Sequence, residues 1–164
     1  MTRALVVHES LFGNTRAVAE AVGAVLDARV VAVSDAPDVL PDDVDLLVVG
    51  APTHAFGLSR PATRESADAP TTPVRGIREW LAALSPPGHL VTAHAFDTRM
   101  ATRWPTGSAA KAVTRKLRAL RFTVPRRPAS FRVTGTTGPL LDGELDRATA
   151  WARTILAETS TRPR

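Results

Sequence analysis

The chain has 164 residues, 44% hydrophobic and 23% charged, with a formal net charge of +5 and no cysteine. A chain of this length buries a sizeable core unaided, so one domain over residues 1–164 is expected; the missing thiols exclude disulfide scaffolds, thiolate zinc sites, iron–sulfur clusters and cysteine nucleophiles. No apolar run approaches the roughly eighteen residues of a bilayer span, and the first residues lack the basic and apolar regions of a signal peptide, so a cytoplasmic protein is expected.

Leu5, Val6 and Val7 read as a short strand buried on both faces, and Val18, Val22, Val25 and Leu26 then recur at helical spacing. Between them lies His8-Glu9-Ser10-Leu11-Phe12-Gly13-Asn14-Thr15, where Asn14 or Thr15 suits the helix cap. The free N–H groups and positive dipole end of a helix start favour an anion. This turn holds no Lys or Arg, so backbone and hydroxyl groups would have to do the binding. The Lys of a P-loop and the three spaced glycines of a dinucleotide fingerprint are both missing. The other reading is an ordinary capped strand-to-helix turn.

Apolar runs at 30–33, 46–49 and 90–96 have the length of further strands covered on both faces, while 34–43 and 58–72 are Pro-, Ala- and Asp-rich and read as loops. Thr72-Pro73 is expected to open a helix whose Ile77, Trp80, Leu81 and Leu84 share a face, closed by Ser85-Pro86-Pro87-Gly88. Gly107-Ser108 opens another, with Val113, Leu117 and Leu120 inward. Phe122-Thr123-Val124 and Phe131-Arg132-Val133 compete for the fifth strand, and the interruption between Pro125 and Pro128 suits an edge. Asp142 is expected to cap a last helix marked by Leu145, Ala148, Ala152, Ile155 and Leu156. Alternating strands and helices with right-handed crossovers predict an α/β fold: a doubly wound five-stranded parallel sheet, order 2-1-3-4-5, with helices on both faces. Response regulators share that topology, but they need an Asp where this chain has Gly50 and a Lys after the fifth strand, where Val133 leads into Thr134-Gly135.

Ser10, Gly13, Asn14 and Thr15 resemble the phosphate loop of the flavodoxin family, usually Ser/Thr-x-Ser/Thr-Gly-x-Thr, with Phe12 where many members carry a hydroxyl. Leu46-Leu47-Val48-Val49-Gly50, followed by Ala51-Pro52-Thr53-His54-Ala55-Phe56-Gly57, resembles the strand and Gly-Ala/Ser-Pro-Thr loop that lies against the flavin in that family. Residues 90–96 and then Asp97-Thr98-Arg99 fall where its third flavin loop would be, and Gly138-Pro139-Leu140-Leu141-Asp142-Gly143-Glu144 looks like the entry to its last helix. The resemblance runs in order along essentially the whole chain.

It implies FMN at the carboxyl ends of the first and third strands. Ser10, Gly13, Asn14 and Thr15, with Phe12 in the same loop, would meet the phosphate; Pro52, Thr53, His54, Phe96, Asp97 and Thr98 would frame the isoalloxazine. Family members commonly stack a Tyr on the ring, and this chain has none, so Phe56, Trp104 or His54 would take that place. The implied function is a redox protein passing electrons to a protein partner or, as an FMN-dependent oxidoreductase, reducing a quinone-like acceptor. The alternative is a flavin-free module of the same fold that acts by binding a partner.

Electron-carrier members are strongly acidic, and this chain is not. Lys111, Arg115 and Arg118 share a helix face, either solvated or offered to an acidic partner. Arg60 and Arg99 follow two of the implied flavin loops closely enough to favour negative charge there. No aromatic residues are interleaved with the arginines as in nucleic-acid modules, and His8, His54 and His94 lack metal-ligand spacing.

Overall fold

The computed structural model describes residues 3–54, 56–70, 72–104 and 107–161. Its strands are β1 (Ala4–His8), β2 (Arg29–Ala32), β3 (Leu46–Pro52), β4 (Thr92–Met100) and β5 (Ala129–Val133). They form one parallel sheet in the predicted order β2-β1-β3-β4-β5. Between them run α1 (Asn14–Leu26), α2 (Pro61–Glu65), α3 (Ile77–Ala83) and α4 (Ala109–Ala119), and α5 (Glu144–Thr161) follows β5.

The strands alternate their side chains between two apolar layers. Leu5, Val7, Leu47, Val49, Ala93 and Ala95 face Ile77, Trp80 and Leu81 of α3 and Val113 and Leu117 of α4. Val6, Leu46, Val48, Phe96 and Phe131 face Val18, Val22 and Leu26 of α1 and Ala148, Ala152 and Ile155 of α5. Each such Val or Leu contributes about 1.5–3 kcal/mol relative to leaving it in water.

The structure moves several boundaries. Strand β4 continues through Met100, so Asp97, Thr98 and Arg99 are strand and not loop, because β5 supplies ladder partners for residues 96–100. Leu90 lies outside the strand and is exposed. Strand β2 ends at Ala32, Val33 opens a short 3-10 turn, and its side chains are only partly covered because β2 is an edge. The segment read as a loop from 58 to 72 holds α2, with Pro61 in its first turn. Helix α3 starts at Ile77 and not at Thr72-Pro73, with the Glu79 carboxylate accepting from the Gly76 N–H at 3.2 Å. Of the two candidates for the fifth strand, residues 129–133 form it, and Thr123 makes only a bridge to Thr92. Ser108 caps α4 as expected, its hydroxyl accepting from the Lys111 N–H.

Helix α5 begins two residues after Asp142, and its Leu145 and Leu156 are exposed. Glu144 fastens it instead: the carboxylate accepts from Arg147 Nε at 2.9 Å and from the Arg132 N–H of β5 at 2.6 Å. The Arg147 bonds, opposed by burial and assisted by Arg132, hold the Glu144 carboxyl below its ordinary range. A depressed carboxyl adds stability above its unfolded-state pKa and loses it as pH falls through the folded value. Glu144→Gln should therefore destabilise by about 1–2 kcal/mol at pH 7. In urea melts the difference should be present in full at pH 7 and should shrink as pH is lowered below the ordinary carboxylate range. Among the described residues no helix is long and apolar enough to cross a membrane.

Candidate functional site

The carboxyl ends of β1, β3 and β4 carry the loops of interest. After β1 the Glu9 N–H donates to the Gly50 carbonyl at 3.0 Å, and the chain then leaves the sheet. The Ser10 hydroxyl accepts the Gly13 N–H at 3.1 Å, closing a tight turn. Gly13 itself, and not Asn14 or Thr15, is the N-cap of α1, at φ 90°, a left-handed conformation that strongly favours glycine. A Cβ built there meets nothing within 4 Å, so the space before the first N–H groups of α1 is open. No acidic residue in that first turn opposes an anion.

The hydroxyls around this turn are engaged within the protein. Thr15 and Thr98, both buried, are joined hydroxyl to hydroxyl at 2.7 Å, which ties α1 to β4. Either can donate, so one hydrogen of the pair is left for another acceptor. Asn14 Nδ2 donates to the Thr137 carbonyl at 3.1 Å. The Thr53 hydroxyl accepts from the Ala109 N–H at 3.1 Å and donates to Asp97 Oδ2 at 3.3 Å.

Ser10, Phe12, Asn14, Thr15, Pro52, Thr53, His54 and Thr98 line one cleft of about 320 Å³, with Gly13 in the turn that bounds it. This volume reaches the range of small-molecule sites. Of the predicted residues, Phe56, Phe96 and Asp97 are elsewhere. Phe96 is fully buried on the α1 and α5 side, its ring beneath Gly50 and edge-on to Phe131 and Trp151 at 5.9 and 6.0 Å. Asp97, one position on, faces α4 and is also fully buried; its Oδ2 accepts from the Ser108 hydroxyl at 2.5 Å and the Ala110 N–H at 3.1 Å. Asp97 thus anchors the start of α4 and does not line the cleft.

Phe56 lines a second, smaller cavity, which shares His54 and Thr63 with the cleft. It is 72% exposed and Trp104 is 80% exposed, so neither serves the core. Gly107 lies directly against the Phe56 backbone, where a Cβ would run into the Phe56 carbonyl; the turns after β3 and β4 therefore touch. Arg99 stands in the cleft wall, while Arg60 lines the smaller cavity. Lys111, Arg115 and Arg118 are exposed on α4. Burial, partly countered by Glu9 and reinforced by Arg64, lowers the His54 pKa below 6.5, so its ring is neutral at pH 7.

Sequence reasoning missed Thr63 and Ser66, which close the far side of the cleft from α2 and the turn after it. It also missed the polar lock behind them. Glu9, 1% exposed, accepts from the Ser59 hydroxyl at 2.5 Å and the Ile77 N–H at 2.8 Å. Arg64, equally buried, donates to Ser59 at 2.9 Å and forks onto Glu79. The residue before Ser10 is thereby fixed to α2 and α3. Among the described residues no group of three or more His, Asp or Glu is placed to hold a metal ion.

No protein-family model matches the sequence, and no curated protein matches it. Solved structures match its fold. A flavodoxin from the domain Archaea aligns at TM-score 0.67 and 19% identity, over 97% of this chain and 99% of its own. Flavodoxin 1 from Bacillus cereus gives 0.68 at 16% identity, over 95% and 98%. A flavodoxin, WrbA-like protein from Agrobacterium tumefaciens gives 0.67 at 16% identity, over 99% and 100%. At such identities the likeness establishes the architecture: this is a protein of flavodoxin-like fold.

Proposed function

We propose that the chain, as one domain of the cytoplasm, binds FMN and passes electrons to a protein partner or a quinone-like acceptor. The observation that carries this reading is the open cradle at Gly13, which combines unopposed helix N–H groups, a left-handed glycine and free space where a Cβ would stand. Ser10, Gly13, Asn14 and Thr15 would hold the phosphate, and Phe12 leaves the backbone amides to supply what a hydroxyl otherwise would. Pro52, Thr53, His54, Thr98 and Arg99 would border the ring, with Phe56 and Trp104 at the rim. Bound FMN supplies one- and two-electron chemistry. The Arg99 guanidinium favours negative charge in the cleft, and neutral His54 offers a hydrogen bond without adding charge.

The hydroxyl pairings of Thr15 and Thr53 within the protein favour a second reading, a flavin-free module that binds a partner. A fluorescence titration with FMN and with riboflavin separates the two. FMN should bind the more tightly, and at about 100 times its Kd it should stabilise the chain by about 2.7 kcal/mol. Equal affinity for both ligands would refute a phosphate-reading turn, and binding of neither would select the flavin-free reading.

A further inference from the structure

We propose that the smaller cavity beside the cleft binds a small aromatic carboxylate, gripped by Arg60 and Arg78 against the ring of Phe56. Its volume is about 210 Å³, below the range of sites for drug-sized ligands, and it therefore suits a single-ring molecule. Arg60 and Arg78 both line it, and no Asp or Glu does. Elsewhere in the fold the arginines Arg3, Arg16, Arg64, Arg75, Arg126 and Arg147 each pair with a carboxylate. Arg60 and Arg78 have no such ion pair among the described residues.

Arg78 is nevertheless held in place. Its Nε and Nη2 donate to the carbonyls of Ser59 at 3.2 Å and Leu58 at 2.9 Å, so the guanidinium is oriented by neutral acceptors, with no carboxylate paired to it among the described residues. Two like charges at one cavity repel, and an anion between them removes that cost. A carboxylate matches the planar donor fork of arginine better than a spherical anion does.

Phe56 supplies the aromatic component. It adopts φ 72°, a left-handed conformation that is strained for a non-glycine residue and often kept where function requires it. The strain leaves a largely exposed ring at the cavity and serves no core contact. His54 and Thr63 form the wall shared with the larger cleft, so the ligand lies next to the flavin site. Its position beside a flavin rests on the FMN reading; its binding does not.

Calorimetric titration of the purified chain with benzoate, benzamide and acetate, each with and without FMN, tests the proposal. Benzoate should bind with a Kd of roughly millimolar order, as expected for so few atoms, and benzamide should fail to bind. Arg60→Gln and Arg78→Gln should each weaken benzoate about tenfold or more, while Phe56→Ala should weaken benzoate and leave acetate unchanged. Arg60 is exposed, so its variant folds even if removing Arg78 disturbs residues 58 and 59. No benzoate binding, equal binding of benzamide, or full binding by the Arg60→Gln variant would overturn the site. Benzoate binding without any FMN binding keeps the site and removes only the flavin beside it. FMN binding without benzoate binding overturns the site and leaves the FMN reading standing.

Discussion

Gly13→Val should abolish FMN binding and leave the chain folded. A Cβ at that position meets no protein atom within 4 Å, so the substitution produces no clash inside the fold. What it adds is backbone strain at φ 90°, of order 1–3 kcal/mol, against a typical total stability of about 5–15 kcal/mol. The two methyl groups then stand in the open space before α1 that a phosphate would need. A loss of affinity of about a hundredfold or more is expected, equivalent to roughly 2.7 kcal/mol. Flavin fluorescence reads the affinity and circular dichroism reads the fold. Unchanged binding would assign the phosphate to another loop, and an unfolded variant would make Gly13 a structural residue first.

Arg64→Ala should cost the fold about 3 kcal/mol, near the low end for breaking a buried ion pair because Glu79 is 32% exposed. The substitution strips Ser59 of a donor and leaves the Glu79 carboxylate facing the space the guanidinium occupied. Arg64→Lys keeps the charge but loses the two-pronged geometry, and should fall between the wild type and Ala. Urea denaturation measures both. A loss under about 1 kcal/mol would show that water replaces the guanidinium at no great cost.

The strands that the sequence made legible are those with a single physical cause. Leu5 to Val7 and Leu46 to Val49 are covered on both faces, so they read as unbroken apolar runs. The end of β4 was hidden because Asp97, Thr98 and Arg99 are polar, and periodicity registers polarity without seeing the partners that satisfy it. Those partners, Ser108, Ala110 and Thr15, are 11 to 83 residues away in the chain. Helix α2 was hidden for the same reason, since its buried residue is Arg64. In the candidate site, residues 10–15 and 52–54 could be read as motifs because their backbone shape demands particular residues. Phe96 and Asp97 could not, because neighbours on a strand point to opposite faces and both pointed away from the cleft.

The ring of Phe96 occupies the space where Gly50 would carry its first side-chain carbon. An aspartate at position 50, which a phosphoacceptor domain of this topology needs, has no room until position 96 has given up its ring. Emptying position 96 first leaves a hole in the core worth about 3–5 kcal/mol. Neither order of substitution offers a neutral intermediate. In this chain the two uses of a shared topology are therefore separated by a volume exchange between adjacent strands, and a single change of letter at the end of β3 does not convert one into the other.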